Sequence, residues 1–221
     1  MKNILIFGSG YHSKVVFSEI IKLKKYNFIG FIDERKRKGL KILNYKNKTY
    51  KNLGKLKELI NKKKICGIIG VGDNYTREKI YNDVKKQIKN FKWEKIVSSD
   101  AIISDRVKIG SGSFIVSGSI INTGTKIGRH CIINTSSSID HDNSFADFSS
   151  TGPGVITGGN VTVQKKSFLG LGCKIKHKII IGKNTVVGAN SYVNRNCESN
   201  SIYIGSPAKK KRSRKIGENY L

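Results

Sequence analysis

The sequence is poor in acidic residues and in proline, and it has no long apolar run. Only 15 of its 221 residues are acidic, whereas 42 are lysine or arginine, so the formal net charge is +27. Such a field attracts anions, which makes nucleic acid one candidate partner and phosphorylated small molecules another. Because the lysines are spread over the whole chain, a generally solvated basic surface explains the charge equally well. Without a stretch of about 18 apolar residues, we expect no membrane-spanning helix.

Cysteine is also scarce, and the four that occur have neither paired nor metal-binding spacing. The N-terminal segment MKNILIFGSG becomes glycine-rich after one short apolar run, which favours a β-strand over an export signal. We therefore expect reduced thiols in a cytoplasmic protein.

A six-residue period fills the second half of the chain. At every sixth position from Val97 to Val193 the residue is aliphatic or phenylalanine in 15 of 17 cases, without a slip in register. Two residues before the apolar position the residue is usually small or β-branched, as at Ser113 and Thr125. A period sustained over this length is the signature of a repeat architecture.

Each hexad is long enough for one short strand and one corner, so three hexads close a triangular coil of 18 residues. Such coils stack at about the spacing of hydrogen-bonded strands, ~4.8 Å, with the apolar and the small residues inside. Glycine often follows the apolar position, as at Gly110, Gly128 and Gly158, and we expect it to supply the positive φ angles of the corners. The period therefore predicts a parallel β-helix.

The N-terminal part alternates short apolar runs with helical patterns. Residues 3–7 precede the loop GSGYHS, and a second run, Phe28–Ile32, ends in Asp33 and Glu34. A third run, Ile65–Val71, precedes an amphipathic segment. This alternation predicts a parallel sheet of Rossmann type. The loop lacks the third glycine of the dinucleotide fingerprint, so we expect either one nucleotide-linked sugar at the helix N-terminus or a plain tight turn.

Five segments, joined to the repeat, resemble one family. GSGYHS, FIDE, IIGVGDNYTREKIY, SSSIDHD and YIGSPAKKK together resemble the bacterial sugar acetyltransferases of the hexapeptide class. That family includes N-acetyltransferases of nucleotide-linked 4-amino-4,6-dideoxy sugars and sialic acid O-acetyltransferases. The resemblance implies an α/β Rossmann-like N-terminal domain and a C-terminal left-handed parallel β-helix. It also implies a homotrimer, with coenzyme A in the groove between neighbouring chains.

The resemblance further divides the chain into three parts. Residues 1–97 would bind the sugar nucleotide, residues 98–208 would bind acetyl-CoA, and residues 209–221 would form a basic tail that we expect to be solvated. The implied activity is acetylation of the 4-amino group of such a sugar, by direct transfer from acetyl-CoA and without a metal. O-acetylation of a sugar or of sialic acid stays open as the alternative.

Several site residues carry over by their place in the motifs. The resemblance makes His141 the general base, Asp142 the carboxylate that raises its basicity, and Gly159 the residue whose amide meets the thioester carbonyl. The spacing of 18 residues stacks His141, Gly159 and His177 in one column. Ser150 stands where some members have a second histidine, and its hydroxyl is expected to replace that contact with the acetyl oxygen. The remaining implied positions are Leu171, Ala189 and Lys209 for acetyl-CoA, and Gly10, Tyr11, His12, Asp33, Glu34, Gly72 and Asn134 for the sugar nucleotide.

Two functions of other classes stay open. The γ-type carbonic anhydrases use histidines two coils apart, as His141 and His177 are, but they need a third where this chain has Gly182, and catalytic zinc takes about three protein ligands. A nucleic-acid-binding protein would cluster its basic residues beside aromatic platforms, whereas the aromatic residues here lie mostly in the N-terminal part. We therefore expect a nucleotide-linked sugar and acetyl-CoA as partners, with neither a metal nor nucleic acid.

Overall fold

The computed structural model of the protein describes residues 1–33, 49–50 and 64–220. The predicted site residue Glu34 lies outside these ranges. The chain divides into two compact units, one of Met1–Gly72 with Thr76–Ile96, the other of Asp73–Tyr75 with Val97–Leu221. The predicted domain bounds, after residues 97 and 208, stay predictions. In the described ranges, no helix is long and apolar enough to cross a membrane.

The first unit contains a parallel sheet with the strand order β3-β2-β1-β4-β5. Apolar side chains of β1, β4 and the second helix form its core, among them Leu5, Phe7, Ile69 and Val84. The predicted Rossmann-type alternation is therefore found, with strand ends shifted by at most two residues from those expected. The elements are β1 Lys2–Phe7, α1 Tyr11–Lys22, β2 Tyr26–Ile32, β3 Thr49–Tyr50, β4 Ile65–Ile69, α2 Asn74–Gln87 and β5 Lys92–Trp93.

The second unit is a left-handed parallel β-helix built from two-residue strands. Strands one coil apart pair in register, so that Ile120 pairs with Ser138 and Ile121 with Ile139. The apolar positions of the repeat point inward and form one continuous core. The strands are β6 Ile96–Val97, β7 Ile102–Ile103, β8 Lys108–Ile109, β9 Phe114–Ile115, β10 Ile120–Ile121, β11 Lys126–Ile127, β12 Ile132–Ile133, β13 Ser138–Ile139, β14 Ser144–Phe145, β15 Ser150–Thr151, β16 Ile156–Thr157, β17 Thr162–Val163, β18 Phe168–Leu169, β19 Lys174–Ile175, β20 Ile180–Ile181, β21 Val186–Val187 and β22 Tyr192–Val193.

Three faces and three corners follow from this pairing. The first face is formed by β7, β10, β13, β16, β19 and β22, and the second by β8, β11, β14, β17 and β20. The third face is formed by β6, β9, β12, β15, β18 and β21, followed by β23 Ser201–Gly205 and β24 Ala208–Ser213. We call the corner between the first and second faces the His141 corner, and the corner between the third and first faces the Leu171 corner.

The glycines after the apolar positions have a different role from the one expected. Positive φ angles occur three residues after the apolar position, for example 54° at His130 and 55° at Asp142. Gly110 and Gly158 do not have positive φ. A Cβ on Gly110 would instead lie 2.6 Å from the carbonyl carbon of Gly128 in the next coil. The expectation of positive φ at these glycines was therefore wrong, and close stacking of successive corners is what excludes a side chain there.

The small residues inside the corners also make hydrogen bonds. Ser113 Oγ donates to Gly128 O at 2.7 Å, and Thr125 Oγ1 donates to Asp140 O at 2.8 Å. In both cases the acceptor is the corner carbonyl 15 residues later. These inner side chains are fully buried, so the bonds satisfy polar groups that water does not reach.

The side chains of the basic segment after residue 208 are mostly exposed as far as Ser213, and its main chain is paired in a strand. Ala208–Ser213 pairs antiparallel with Ser201–Gly205. Beyond it, the buried Arg214 lies under Tyr220, whose ring stacks on Phe168 at a centroid distance of 4.3 Å. Packing of these aromatic and guanidinium groups against the third face explains why the segment is ordered despite its charge.

Candidate active site

His141 lies on the surface of the His141 corner, between β13 and β14. Its Nδ1 donates to Asp142 Oδ2 at 2.8 Å, so the carboxylate fixes the ring orientation. This hydrogen bond raises the pKa of His141 above its ordinary value. In the neutral imidazole the proton then sits on Nδ1, and Nε2 carries the lone pair that can accept a proton.

The Asp140 side chain accepts a hydrogen bond from the backbone of the same corner. Its Oδ1 accepts hydrogen bonds from the His141 N–H at 2.8 Å and from Asn122 Nδ2 at 3.1 Å. The bond from the His141 backbone is the main cause that lowers the pKa of Asp140. Asp140 therefore orients the main chain at His141, whereas Asp142 orients the imidazole.

Gly159 lies directly beneath the imidazole, one coil further on. An ideal Cβ on Gly159 would lie 2.5 Å from His141 Nε2. The Asn160 N–H donates to the His141 carbonyl at 3.0 Å and keeps the two coils in register. The predicted column is therefore present, and only glycine leaves room for Nε2 above the main chain.

Asn143 is a buried residue of this corner that sequence reasoning missed. Its Nδ2 donates to Asp140 O at 2.6 Å and to Gly158 O at 3.0 Å, and its Oδ1 accepts from the Val161 N–H at 3.0 Å. The signal was available in the sequence, because Asn143 is a side-chain amide at an inner position where the adjacent coils have Thr125 and Val161.

The predicted acetyl-CoA residues do not gather around His141. Leu171 is 54% exposed and lies, with Ala189, on the Leu171 corner. Asn134, predicted for the sugar nucleotide, lies on that corner as well. Lys209 is exposed on β24. Within one chain, His141, Asp142 and Gly159 come together, and the other positions lie elsewhere on the β-helix.

Ser150 requires a correction. It lies on β15 of the third face, is 1% exposed, and its Oγ donates to Asn74 Oδ1 at 2.6 Å. Asn74 in turn donates through Nδ2 to Ser167 O at 3.0 Å. The expected contact with an acetyl oxygen beside His141 is therefore wrong, because the hydroxyl is buried on another face and engaged by Asn74.

Most predicted sugar-nucleotide residues of the first unit lie at the carboxyl edge of its sheet. Gly10 is the N-cap of α1, and the exposed Tyr11 begins that helix. Asp33 follows β2 and accepts a hydrogen bond from the Ser9 N–H at 2.8 Å. Burial, and secondarily the charge of Arg77, lowers the pKa of His12 to about 4, so this ring is neutral at physiological pH. The remaining residue of the set, Gly72, accepts from the Arg77 guanidinium at 2.8 Å.

Metal ligands are not grouped in the described part of the chain, where no three or more His, Cys, Asp or Glu side chains converge on a point that could hold an ion. The four cysteines are free and buried. Burial raises the pKa of Cys66 to about 11 and those of Cys173 and Cys197 to about 12.

Comparisons with known proteins show which proteins the chain resembles in sequence and in fold. The PglD N-terminal domain family matches residues 3–84. The GDP-perosamine N-acetyltransferase of Escherichia coli O157:H7 is 31% identical over 80 residues, which are 36% of this chain and 36% of that protein. The match thus spans about a third of the curated relative.

Solved structures extend the likeness to nearly the whole chain. Perosamine N-acetyltransferase from Caulobacter crescentus, in complex with CoA and GDP-perosamine, is 26% identical and superimposes with a TM-score of 0.85, covering 96% of this chain and 98% of that one. Over nearly its whole length, the chain is thus similar to a nucleotide-sugar N-acetyltransferase. The acetyltransferase domain of PglB from Neisseria gonorrhoeae, in complex with acetyl coenzyme A, shares the fold at 24% identity and a TM-score of 0.85, covering 95% and 98% of the two chains.

These likenesses confirm the predicted fold, and they agree with the predicted resemblance to nucleotide-sugar N-acetyltransferases. The names of these relatives also agree with the predicted enzyme class and cosubstrate. In this chain, the His141 corner places an imidazole, the carboxylate that orients it and the main chain of Gly159 within one short stretch of surface.

Proposed function

We propose that the protein transfers the acetyl group of acetyl-CoA to the 4-amino group of a nucleotide-linked 4-amino-4,6-dideoxy sugar. The observation that carries this proposal is the position of His141 Nε2 directly above Gly159, with Nδ1 held by Asp142. The neutral amine attacks the thioester carbonyl, and Nε2 accepts the proton that the new amide bond releases. The developing oxyanion accepts a hydrogen bond from the Gly159 N–H. The C–S bond then breaks, and the imidazolium returns the proton to the leaving thiolate.

The acceptor is proposed from the relatives and from the first unit. Two relatives are named for GDP-perosamine, and Gly10, Tyr11 and Asp33 lie where a parallel sheet of this type binds its ligand. Both substrates are products of cytoplasmic metabolism, where we propose that the protein acts.

Thiol release tests the proposal directly. The protein is incubated with acetyl-CoA and with UDP-, GDP- and dTDP-linked 4-amino-4,6-dideoxy sugars, and free CoA is followed with a thiol reagent. The buried cysteines, with pKa values of about 11 and 12, leave little background. The same assay is run with the matching 4-hydroxy sugars. Sugar-dependent thiol release with at least one amino sugar supports the proposal. Release only with a 4-hydroxy sugar points to O-acetylation, and no release with any acceptor contradicts acetyl transfer.

We further propose that the active form is a trimer. The Leu171 corner and the His141 corner lie on opposite edges of the first face. That face carries exposed apolar side chains, Ile102, Ile120, Ile156 and Tyr192, which are between 37% and 61% exposed. If three first faces line a threefold axis, the His141 corner of one copy meets the Leu171 corner of the next. The predicted acetyl-CoA residues would then lie together at each junction.

If the active form is this trimer, glutamate substitutions on the first face should disrupt it, whereas a glutamate on the second face should not. Replacing both Ile120 and Ile156 with glutamate should yield monomers and abolish measurable turnover, because two carboxylates would be buried at each interface. Light scattering after gel filtration gives the mass. Ile180→Glu is the matched control, since Ile180 is 43% exposed but lies on the second face. A trimeric double variant, or a monomeric control, would argue against this interface.

Asp142→Asn should move the pH profile. The hydrogen bond to Asp142 raises the pKa of His141, and only the neutral imidazole accepts a proton, so turnover rises with pH through that pKa. The asparagine removes the charge, which lowers the pKa and shifts the acid limb of kcat/KM to lower pH. The plateau should fall by about 10- to 100-fold, the range found when a metal-binding histidine loses its orienting carboxylate. Asp140→Asn removes a charge that also raises the pKa of His141 but keeps the hydrogen bond from Asp142, so it should shift the limb in the same direction and by less. An unshifted limb in Asp142→Asn would contradict the role of Asp142.

A further inference from the structure

The peptide group between Gly158 and Gly159 lies outside the ladder of the β-helix. On one side the Gly158 N–H donates to Ile175 O at 2.9 Å, and on the other Gly159 O accepts from the Lys178 N–H at 2.9 Å. The group between them, Gly158 O with the Gly159 N–H, takes part in neither bond. With glycine on both sides, no Cβ restricts its rotation. Something outside the ladder must therefore fix its orientation.

Asn143 is the residue that holds this peptide group. Its Nδ2 donates to Gly158 O at 3.0 Å, and in the described part of the chain no other group donates to that oxygen. The side chain is 1% exposed. It is itself fixed, because its Oδ1 accepts from the Val161 N–H at 3.0 Å and its own N–H donates to Thr125 Oγ1 at 3.1 Å. The donor to Gly158 O is thus a rigid part of the interior.

The direction of the Gly159 N–H follows from planarity. In a trans peptide the C=O and N–H bonds point in opposite directions. Because Gly158 O points inward to Asn143, the Gly159 N–H points outward, to the side on which His141 Nε2 lies. Within the described ranges, the Gly159 N–H donates to no group.

In the preceding coil, the backbone N–H that corresponds to that of Gly159 is taken up by a neighbouring side chain. At the equivalent position, the His141 N–H donates to the side chain of the residue before it, Asp140, at 2.8 Å. The residue before Gly159 is Gly158, which has no side chain to accept. The amide of Gly159 is thus both aimed outward and left available for a ligand.

We propose that Asn143 is a positioning residue that aims the Gly159 amide at the oxygen that becomes negative in acetyl transfer. The inference rests on the proposed function. Asn143 does not touch the reacting atoms. Its bond to Gly158 O keeps the oxyanion donor oriented before the substrates bind, so that no reorganisation is needed at the moment of reaction.

A pair of substitutions isolates this hydrogen bond. Asn143→Thr should keep it, because Thr125 in the preceding coil donates from the same inner position to the corner carbonyl 15 residues later. Asn143→Val has the same shape as threonine but no donor, and Val161 shows that valine fits the column. We expect the threonine variant to stay within about threefold of the natural turnover. The valine variant should lose about 10- to 100-fold in kcat, less than the 10²–10³-fold of removing an oxyanion donor outright.

Three readouts separate positioning from general damage. The KM for acetyl-CoA and the acid limb of the pH profile should stay unchanged in Asn143→Val, because Asn143 takes no part in the hydrogen bond between the Asp142 carboxylate and the His141 imidazole. Thr185→Val is the matched control, since it removes an equally buried inner hydroxyl that donates to Glu198 O at 2.6 Å, away from the His141 corner. Its kcat should be normal. If Asn143→Val does not fold, Asn143→Ser against Asn143→Ala makes the same comparison.

The outcomes are decisive in both directions. Loss in the valine variant with retention in the threonine variant supports the proposal. Equal kcat in the two folded variants, whether normal or reduced, overturns it. If the natural protein shows no turnover with any acceptor, the proposed function fails instead. Crystal structures of the two variants then test the remaining claim, since a Gly158–Gly159 peptide of unchanged orientation in Asn143→Val would refute the holding role.

Discussion

His141→Ala is expected to lower turnover by about 10²- to 10⁴-fold, the range for removing a general base. Nδ1 of His141 is held by Asp142, and its Nε2 stands free above Gly159. Initial rates at saturating acetyl-CoA and sugar nucleotide, measured across pH, give the effect. The acid limb that reports the His141 pKa should disappear together with the rate.

The assembly should survive this substitution. The His141 side chain is about half exposed and makes its one side-chain hydrogen bond to the neighbouring Asp142, so its loss removes little packing. His177→Ala is the matched control, because His177 is exposed in the same column, 36 residues on. It should retain most of the activity. Near-normal turnover in the folded His141→Ala trimer would remove His141 from the role of base.

The architecture of the second unit could be predicted from sequence because one physical constraint repeats. Nearly every sixth residue is apolar and points inward, and the register step is constant at six residues, so the pattern stays recognisable where a single position departs from it. The role of Gly110 could not be predicted in the same way. Its Cβ would meet the carbonyl carbon of Gly128 at 2.6 Å, and contacts between coils leave the same sequence signal as a turn that needs positive φ.

The candidate site was predictable where it depended on the period alone. Gly159 is one full coil after His141, so the column could be placed by counting. Ser150 is nine residues after His141, which is half a coil, and the same counting would have moved it to another face. Leu171 is 30 residues on, one coil and two hexads, so it had to lie on a different corner. For Ser150 and Leu171, the six-residue register predicts the location on the β-helix better than the match to the family motif does.

The six-residue period could not predict the side-chain hydrogen bonds. The buried hydroxyls and the amide of Asn143 occupy positions that the period requires only to be small. Whether such a residue merely fills space or also fixes a carbonyl depends on main-chain geometry at the ångström level. A polar side chain at an inner position is nevertheless informative, because burial without a partner would be costly.

Gly159→Ala is expected to lower turnover by about 10²- to 10³-fold, comparable to the loss of an oxyanion donor. The new Cβ would lie 2.5 Å from His141 Nε2 and 2.6 Å from its Cε1, closer than van der Waals contact allows. The imidazole must therefore swing away, which removes the base from its place, while the methyl group obstructs approach of the thioester to the amide. Both functions of the corner are damaged by one carbon atom.

The fold should tolerate the same change, since the atoms that must move belong to a partly exposed side chain and not to the main chain. Mass and thermal unfolding should match those of the natural protein. Gly159→Ala should lower turnover less in a His141→Ala background than in the natural protein, because that background has no imidazole left to displace. If the two substitutions lower turnover independently, so that their factors multiply, Gly159 acts through its amide alone. Normal turnover in Gly159→Ala would exclude the close approach of the thioester to the Gly159 amide on which the mechanism depends.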